Sequence, residues 1–219
     1  NTILLRTIFQ MGIPISGKNI FPSNIAGLPT WYTIRANKDG YIARKKEIDL
    51  LVAMNMDTGV EDVKGLLPGT DVIYDEPLNL KSVRDDLVYY PVPFDKLVAP
   101  VCPDARLRRL VRNMIYVGIV AHLIDMDMNE VEKALQKQLG SKPKALALNW
   151  NAINAGVKYA QDNFPKSTKF GLERMNKTAG KILVEGNAAS AMGAMFGGVT
   201  VVAWYPITPS TSLAESFMK

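Results

Sequence analysis

The stretch Val199-Thr-Val-Val-Ala-Trp-Tyr-Pro-Ile-Thr-Pro-Ser-Thr-Ser-Leu-Ala-Glu215 passes directly from a strand pattern to a helix pattern. Residues 199–204 form an apolar run with β-branched side chains, which predicts a strand buried on both faces of a parallel sheet. Two prolines end that strand. Ser212 and Glu215 have the spacing of a capping box, so a helix is expected to begin at residues 210–212. A strand followed at once by a helix N-terminus is typical of α/β folds, which bind anionic ligands at this edge of the sheet.

Thr208 stands between the two prolines, and its hydroxyl can donate a hydrogen bond to a carboxylate or a carbonyl oxygen. Pro206 and Pro209 restrict the backbone on either side of it. The spacing leaves two interpretations open. The hydroxyl binds a ligand, or it binds its own backbone within a rigid turn.

The middle of the chain alternates between strand and helix patterns. Residues 48–54, 71–74 and 87–92 are short apolar runs that predict strands, and residues 58–67 predict a short helix. Such alternation predicts an α/β fold with a largely parallel sheet and helices on its faces. Residues 16–37 are interpreted as a loop plus a β-hairpin ahead of an Asp-Gly turn.

Helical periodicity dominates the beginning and the second half of the chain. Residues 1–11 are amphipathic, and because a strand normally precedes such a helix, we expect a missing strand and an open sheet edge beside strand 48–54. Helices are predicted again from residue 106 to about residue 163, and a small-residue helix over 186–198. Between them, residues 164–183 are polar, lysine-rich and weakly periodic, as in an interdomain linker. We interpret the sequence as a fragment of a longer subunit.

The composition is that of an ordinary globular chain. Its 219 residues are 47% hydrophobic, which is enough for one or two cores. No apolar run approaches the roughly 20 residues that span a bilayer, so a cytoplasmic protein without a membrane partner is expected. The single Cys102 excludes an internal disulfide framework. The net charge of +5 is scattered apart from the arginines at 106, 108, 109 and 112, and no basic face with interleaved aromatics indicates nucleic-acid binding.

Three local patterns imitate sites without meeting their requirements. Residues 12–18 have the spacing of a phosphate-binding loop but lack the Ser or Thr that must follow the lysine. Residues 125–129 resemble the start of a calcium loop, but Glu130 occupies the glycine position, so a turn capped by Asn129 is expected. His122 lies near the end of an apolar helix and is expected to pack instead of acting as a catalyst.

Two regions of the sequence resemble the 2-oxoacid:ferredoxin oxidoreductases. The run Tyr205-Pro-Ile-Thr-Pro-Ser210, preceded by Glu185-Gly-Asn-Ala-Ala-Ser-Ala-Met-Gly-Ala-Met-Phe-Gly-Gly-Val199, is similar to the opening of that family's pyrimidine-binding domain. Residues 17–32 and 49–55 resemble the γ-type domain of the subunit in which γ and α domains are fused. The resemblance implies a γ-type α/β domain at 1–164, a linker at 165–184 and the start of a thiamine-diphosphate-binding, pyrimidine-type α/β domain at 185–219.

The resemblance also implies a reaction, cofactors and partners. The reaction is the CoA-dependent oxidative decarboxylation of a 2-oxoacid to acyl-CoA and carbon dioxide, with the electrons passed to ferredoxin. Thiamine diphosphate and Mg²⁺ would be shared with a β subunit, which would carry a [4Fe-4S] cluster, and coenzyme A would be a co-substrate. Such a cluster generally needs four cysteines, so a chain with one cysteine fits a separate cluster-bearing partner. The expected assembly is a heterodimer or a dimer of heterodimers.

The resemblance implies seven site residues, five from the Tyr-Pro-Ile-Thr-Pro motif and two from a loop of the γ-type domain that approaches the active site in related enzymes. The implied substrate contacts are Thr208, Tyr205, Ser23 and Asn24. The residues implied to shape the cofactor site are Pro206, Ile207 and Pro209. Thr208 would donate a hydrogen bond to the substrate carboxylate or to the reaction intermediate, whereas Ser23 and Asn24 are equally interpreted as loop-capping groups. No catalytic residue is assigned, because the glutamate that activates the pyrimidine is expected beyond Lys219, and Glu215 is not that residue.

A function of a different class stays open at this point. A γ-type domain could be a non-catalytic assembly module, or a CoA- or nucleotide-binding module with the arginine cluster as its phosphate anchor. A solvated helix face explains the same arginines. Among substrates, the fused domain order and the run Asn19-Ile-Phe-Pro-Ser-Asn24 favour 2-oxoglutarate, with pyruvate or another 2-oxoacid as the alternatives.

Overall fold

The computed structural model describes residues 1–21, 28–167 and 169–218, and these form two compact units. The first unit contains residues 1–20 and 29–178. The second contains residues 179–218 together with Phe21 and Leu28. Ser23 and Asn24, which the sequence analysis places at the substrate, lie outside the described residues.

The first unit is built around a parallel sheet with helices. Its elements in chain order are α1 (Thr2–Gln10), β1 (Ile15–Ile20), β2 (Trp31–Ala36), β3 (Leu50–Ala53), α2 (Gly59–Lys64), β4 (Asp71–Asp75), β5 (Val88–Val92), α3 (Phe94–Val101), α4 (Ala105–Leu123), α5 (Met128–Leu139) and α6 (Pro143–Asn163). Strands β3, β4 and β5 pair in parallel in that order. The α/β fold and the three strands predicted from the apolar runs are therefore confirmed.

Strand β4 lies in the middle of this sheet and is buried along its whole length. Val72 and Ile73 point to opposite faces because side chains alternate along a strand, and both are fully buried. Helices therefore cover both faces. Strand β3 has β4 on one side and no strand partner on the other within the described residues, which is the open edge that the sequence predicts.

Helix α1 buries its apolar side chains in the main core, as its amphipathic pattern predicts. It ends at Gln10, and Gly12, two residues later, has a φ of +80°, in the left-handed region that favours glycine. The amide of Ile13 then donates to the carbonyl of Ile8, which satisfies one of the last carbonyl groups of the helix.

Helices α4, α5 and α6 confirm the helical prediction for residues 106–163. Helix α4 packs along α6, and the fully buried Ile115 and Ile153 belong to their shared core. Asp127 caps α5 by accepting a hydrogen bond from the amide of Asn129 at 2.9 Å. The predicted cap by Asn129 is therefore wrong, because the helix begins at Met128, two residues earlier than a cap at Asn129 would require.

Strands β1 and β2 form a separate antiparallel ribbon, with Ile15 opposite Ala36 and Ile20 opposite Trp31. This confirms the predicted hairpin pairing. The Asp-Gly turn follows β2, where the amide of Gly40 donates to the carbonyl of Asn37 at 3.1 Å.

The segment 164–183 contains neither helix nor strand in its described part, but its residues up to Thr178 belong to the first unit. The ammonium of Lys169 lies 2.7 Å from the buried carboxylate of Asp71, and the hydroxyl of Thr178 donates to the carbonyl of Phe9 at 2.8 Å. The domain limits at 164 and 184 remain predictions. Among the helices described, none has both the length and the apolar character needed to cross a membrane.

Candidate functional site

The second unit brings the Tyr-Pro-Ile-Thr-Pro motif between two packed helices, α7 (Gly186–Phe196) and α8 (Ser210–Ser216). Their small side chains are the buried ones, since Ala191 and Ala214 are 0% and 2% exposed. Helix α7 confirms the predicted small-residue helix. It packs against a helix, however, and no strand of this unit is found among the described residues.

Residues 199–204 do not form the buried strand that their composition predicts. They have neither helix nor strand pairing, and Val201 is 81% exposed. A parallel strand needs a neighbouring strand for its hydrogen bonds and covering helices for its apolar faces. The described part of this unit supplies no such neighbour, so β-propensity alone does not produce a strand here.

The motif itself is held by short-range hydrogen bonds. The amide of Ile207 donates to the carbonyl of Tyr205 at 2.8 Å, across Pro206. The hydroxyl of Ser210 lies 3.0 Å from that same carbonyl oxygen and 2.7 Å from the carbonyl oxygen of Ile207. Because Pro206 also restricts its own φ, residues 205–207 are confined by covalent and hydrogen-bonded constraints together.

Helix α8 begins at Ser210, within the predicted range, but without the predicted capping box. Ser212 is already inside the helix, and its hydroxyl donates back to the carbonyl of Pro209 at 2.9 Å. No side chain makes a cap hydrogen bond at this helix start. The capping-box prediction fails because the helix begins at Ser210, three residues earlier than it would with Ser212 as the cap.

Asn187, in the first turn of α7, links the two helices across the motif. Its Nδ2 donates to the carbonyl of Pro209 at 2.9 Å and to the hydroxyl of Ser212 at 2.6 Å. No pattern in the sequence marks Asn187 as a functional residue. The only signal was its place in the stretch that carries the family resemblance.

Thr208 lies at the exposed point of this turn. Within the described part of the chain its hydroxyl has no hydrogen-bond partner, although groups on both sides of it are engaged. Tyr205 is 78% exposed beside it, and the predicted cofactor-site residues Pro206, Ile207 and Pro209 are exposed as well. The arrangement presents the Thr208 hydroxyl as an unengaged donor with apolar and aromatic surface around it.

The arginine cluster of α4 is partly occupied by its own fold. The guanidinium of Arg108 donates to the carbonyl of Cys102 at 2.9 Å. Arg112 contacts the carboxylates of Asp95 at 2.9 Å and Asp75 at 3.3 Å. Burial raises the pKa of Asp75, while the charge of Arg112 opposes that shift. Two of the four arginines therefore serve structure, which weakens the interpretation of the cluster as a phosphate anchor.

The remaining candidates for chemistry in the first unit are also structural. The Nε2 of His122 lies 3.1 Å from the carbonyl oxygen of Phe164, so this side chain packs as expected. Cys102 is buried. No group of three or more metal-binding side chains occurs within residues 1–21, 28–167 and 169–218.

Solved structures share this fold. A 2-oxoglutarate:ferredoxin oxidoreductase from Magnetococcus marinus, with 2-oxoglutarate, coenzyme A and succinyl-CoA bound, matches 98% of the chain with a TM-score of 0.82 and 23% identity. The match covers 37% of that structure's chain. The γ subunit of a keto/oxoacid ferredoxin oxidoreductase from Geobacter sulfurreducens matches 73% of this chain and 88% of its own, with a TM-score of 0.58 and 14% identity.

Curated relatives agree with the structures. The α subunit of 2-oxoacid:ferredoxin oxidoreductase 2 from Aeropyrum pernix is 23% identical over 97% of this chain. The α subunit of the same organism's oxidoreductase 1 is 34% identical over 63% of it. The chain spans 39% and 22% of the length of these two relatives. The sequence model of the pyruvate ferredoxin/flavodoxin oxidoreductase family matches residues 1–159, and the chain therefore belongs to this family.

Proposed function

We propose that this chain is the γ-type domain and the opening of the pyrimidine-binding domain of a 2-oxoacid:ferredoxin oxidoreductase α subunit. With a β partner, that subunit would convert a 2-oxoacid and coenzyme A into acyl-CoA and carbon dioxide, and pass two electrons to ferredoxin. Membership of the family and similarity to α subunits over 97% of the chain support this proposal. The single observation that carries it at residue level is the unengaged hydroxyl of Thr208 in an otherwise hydrogen-bonded turn.

The residues present fit part of the cofactor set. The exposed side chains of Tyr205 and Ile207 suit contact with an organic ring, and Thr208 suits a carboxylate or carbonyl oxygen. A [4Fe-4S] cluster does not fit this chain, because it generally needs four thiolates and the one cysteine, Cys102, is buried. The proposal therefore assigns the cluster, and the Mg²⁺ and diphosphate contacts of the thiamine cofactor, to the β subunit.

Thiamine diphosphate, when bound, supplies the carbon nucleophile and the electron sink for decarboxylation. The work of this chain is then to orient the 2-oxoacid. Thr208 would donate a hydrogen bond from its hydroxyl to a substrate carboxylate oxygen or to the carbonyl oxygen on which negative charge develops. Tyr205 and Ile207 would exclude water beside it, which strengthens that hydrogen bond by lowering the local dielectric constant.

The finer parts of the proposal concern substrate, site and location. We propose 2-oxoglutarate as the first substrate to test, with pyruvate as the alternative, and the cytoplasm as the location. Ser23 and Asn24 remain proposed substrate contacts. The proposed partners are the β subunit and ferredoxin, in a heterodimer or a dimer of heterodimers.

The test is Thr208→Val in the assembled complex, with Thr200→Val as the matched control. Both threonines are exposed in the second unit, and neither side chain has a hydrogen bond among the described residues. Thr208→Val should lower kcat/KM by roughly a hundred- to a thousandfold, because one donor to the developing charge is lost. Thr200→Val should leave kcat/KM unchanged. Thiamine diphosphate binding is titrated in parallel for both variants.

Three outcomes decide between the interpretations. Normal kinetics of Thr208→Val with every 2-oxoacid tried would refute its role as a substrate ligand. Weakened cofactor binding with unchanged 2-oxoacid kinetics would move Thr208 to the cofactor side of the site. If the wild-type complex with a cluster-bearing β partner reduces no electron acceptor with any 2-oxoacid, the non-catalytic module becomes the better function.

A further inference from the structure

The two carbonyl groups that flank Thr208 are fixed by different parts of the second unit. The carbonyl oxygen of Ile207, on one side, is bound by the hydroxyl of Ser210 at 2.7 Å and by the amide of Thr211 at 3.2 Å. The carbonyl oxygen of Pro209, on the other side, is bound by the Nδ2 of Asn187 at 2.9 Å. Ser210 and Thr211 are close to Ile207 in the sequence, whereas Asn187 is 22 residues away from Pro209.

Asn187 is therefore the long-range element that ties the motif to α7. Its amide nitrogen carries two protons, and both have an acceptor, the Pro209 carbonyl and the Ser212 hydroxyl at 2.6 Å. The Ser212 hydroxyl in turn donates to the Pro209 carbonyl at 2.9 Å. These three groups form a closed set of hydrogen bonds that fixes the backbone directly after Thr208.

We infer that Asn187 is a positioning residue of the 2-oxoacid site and acts through Pro209 and Ser212 on the direction of the Thr208 hydroxyl. This inference rests on the proposed function. Asn187 does not contact the substrate itself. Its donors hold the carbonyl of Pro209 and the hydroxyl of Ser212, one peptide beyond Thr208, and so restrain the chain that carries the Thr208 hydroxyl. A hydroxyl misplaced by about 1 Å at a reacting centre can cost a hundredfold in rate.

An asparagine suits this role because its amide is a short, planar group with two donors on one nitrogen. Asn187→Asp keeps the size and shape of the side chain but replaces both donors by acceptors, which face the Pro209 carbonyl unfavourably. Ser212→Ala is a second variant that leaves Asn187 in place and removes one of its acceptors. Asn151→Asp is the matched control, since Asn151 is exposed on α6 and its side chain has no hydrogen bond in the described part of the chain.

The experiment is a double-mutant cycle in the assembled complex, in which kcat and KM are measured per thiamine-diphosphate-loaded site. Asn187→Asp should lower kcat/KM by about ten- to a hundredfold, and Ser212→Ala should lower it by a smaller factor. In the Thr208→Val background, Asn187→Asp should lower it by no more than about twofold, because the group that it positions is already gone. Asn151→Asp should have no effect in either background.

Other results overturn the inference in distinguishable ways. A purely structural Asn187 predicts less loaded complex, by the same factor in both backgrounds, with kcat and KM per loaded site unaffected by Asn187→Asp. That result, or no effect of Asn187→Asp, removes the positioning role while a large effect of Thr208→Val keeps the proposed function. No effect of Thr208→Val removes the substrate role of Thr208 and this inference with it.

Discussion

The crossing of α4 and α6 depends on two glycines that face each other's helix backbone. A Cβ atom added at Gly118 would lie 2.7 Å from the amide nitrogen of Val157 and closer still to the carbonyl oxygen of Ile153. A Cβ atom at Gly156 would lie 3.0 Å from the carbonyl carbon of Ile115, and again closer to its oxygen. Since these neighbours are backbone atoms, no side-chain rotation can relieve the overlap.

The expected loss follows from two opposing effects. Ordinary contacts of a Cβ atom begin at 3.4 Å, so Gly118→Ala forces a separation of at least about 0.7 Å in a packed core. Overpacking of this kind costs about 3 kcal/mol at the upper end of its usual range. Alanine gains about 1 kcal/mol over glycine in helix propensity. Gly118→Ala should therefore lower the free energy of unfolding by about 2 kcal/mol and Tm by about 4–8 °C.

The assay is urea and thermal unfolding of Gly118→Ala and Gly156→Ala, with Gly59→Ala as the control. A Cβ atom at Gly59 would lie 3.5 Å from its nearest neighbours, the side chains of Leu78 and Leu80, which is an ordinary contact. Gly59→Ala should lose no stability and can gain up to about 1 kcal/mol. The double variant at the crossing should lose less than the sum of the single variants, since one separation relieves both overlaps. A Gly118→Ala variant as stable as Gly59→Ala would refute this close helix approach.

Two further predictions concern ion pairs of the segment that follows α6. Lys169→Met should lower the free energy of unfolding by about 1–3 kcal/mol, because it removes the cation that pairs with the buried Asp71 carboxylate. The side chain of Asp71 is 3% exposed, and among the described residues it would keep two hydroxyl donors, both at 3.3 Å. Urea unfolding should also show that the added change Asp71→Asn restores part of this loss. A hydrogen bond from Arg174 lowers the pKa of Asp127, and hydrogen bonds from Arg174 and Lys133 lower that of Glu130 although burial opposes them. A carboxyl group whose pKa is lower in the folded than in the unfolded state stabilises the fold above its unfolded pKa, and this stabilisation is lost as the pH falls through its folded pKa. Arg174→Met should therefore lower the free energy of unfolding at pH 7 and have no effect on it below about pH 4. Unfolding curves measured over a series of pH values test this.

The sequence was sufficient to predict a helix or strand where the segment has a clear periodic or apolar pattern and its packing partners lie among the described residues. Strand β4 was predictable because β-branched residues stand between turn signals, and β3 and β5 lie beside it. The helices of residues 105–163 were predictable from periodicity. Their close approach was not, because Gly118 and Gly156 lie far apart in sequence, and only the structure places each against the other helix.

The sequence misled at residues 199–204, where strand composition occurs without a strand partner in the described residues. The candidate site was predictable in part. The motif indicated Thr208 and Tyr205, and the structure places both at an exposed turn. Asn187 could not be deduced, since an asparagine in the first turn of a helix has no pattern that names an acceptor 22 residues away.

An exposed hydroxyl without a protein partner is not informative alone, since water can satisfy it at little cost. The turn around Thr208 is informative because polar groups of the neighbouring residues do have hydrogen-bond partners. The hydroxyls of Ser210 and Ser212 are engaged with backbone carbonyls, and the carbonyls on both sides of Thr208 are bound. The backbone is thus ordered before any ligand arrives, which reduces the entropy lost when the hydroxyl binds one. The Thr208 hydroxyl is therefore exposed on a backbone that is already fixed, which supports a ligand-binding role.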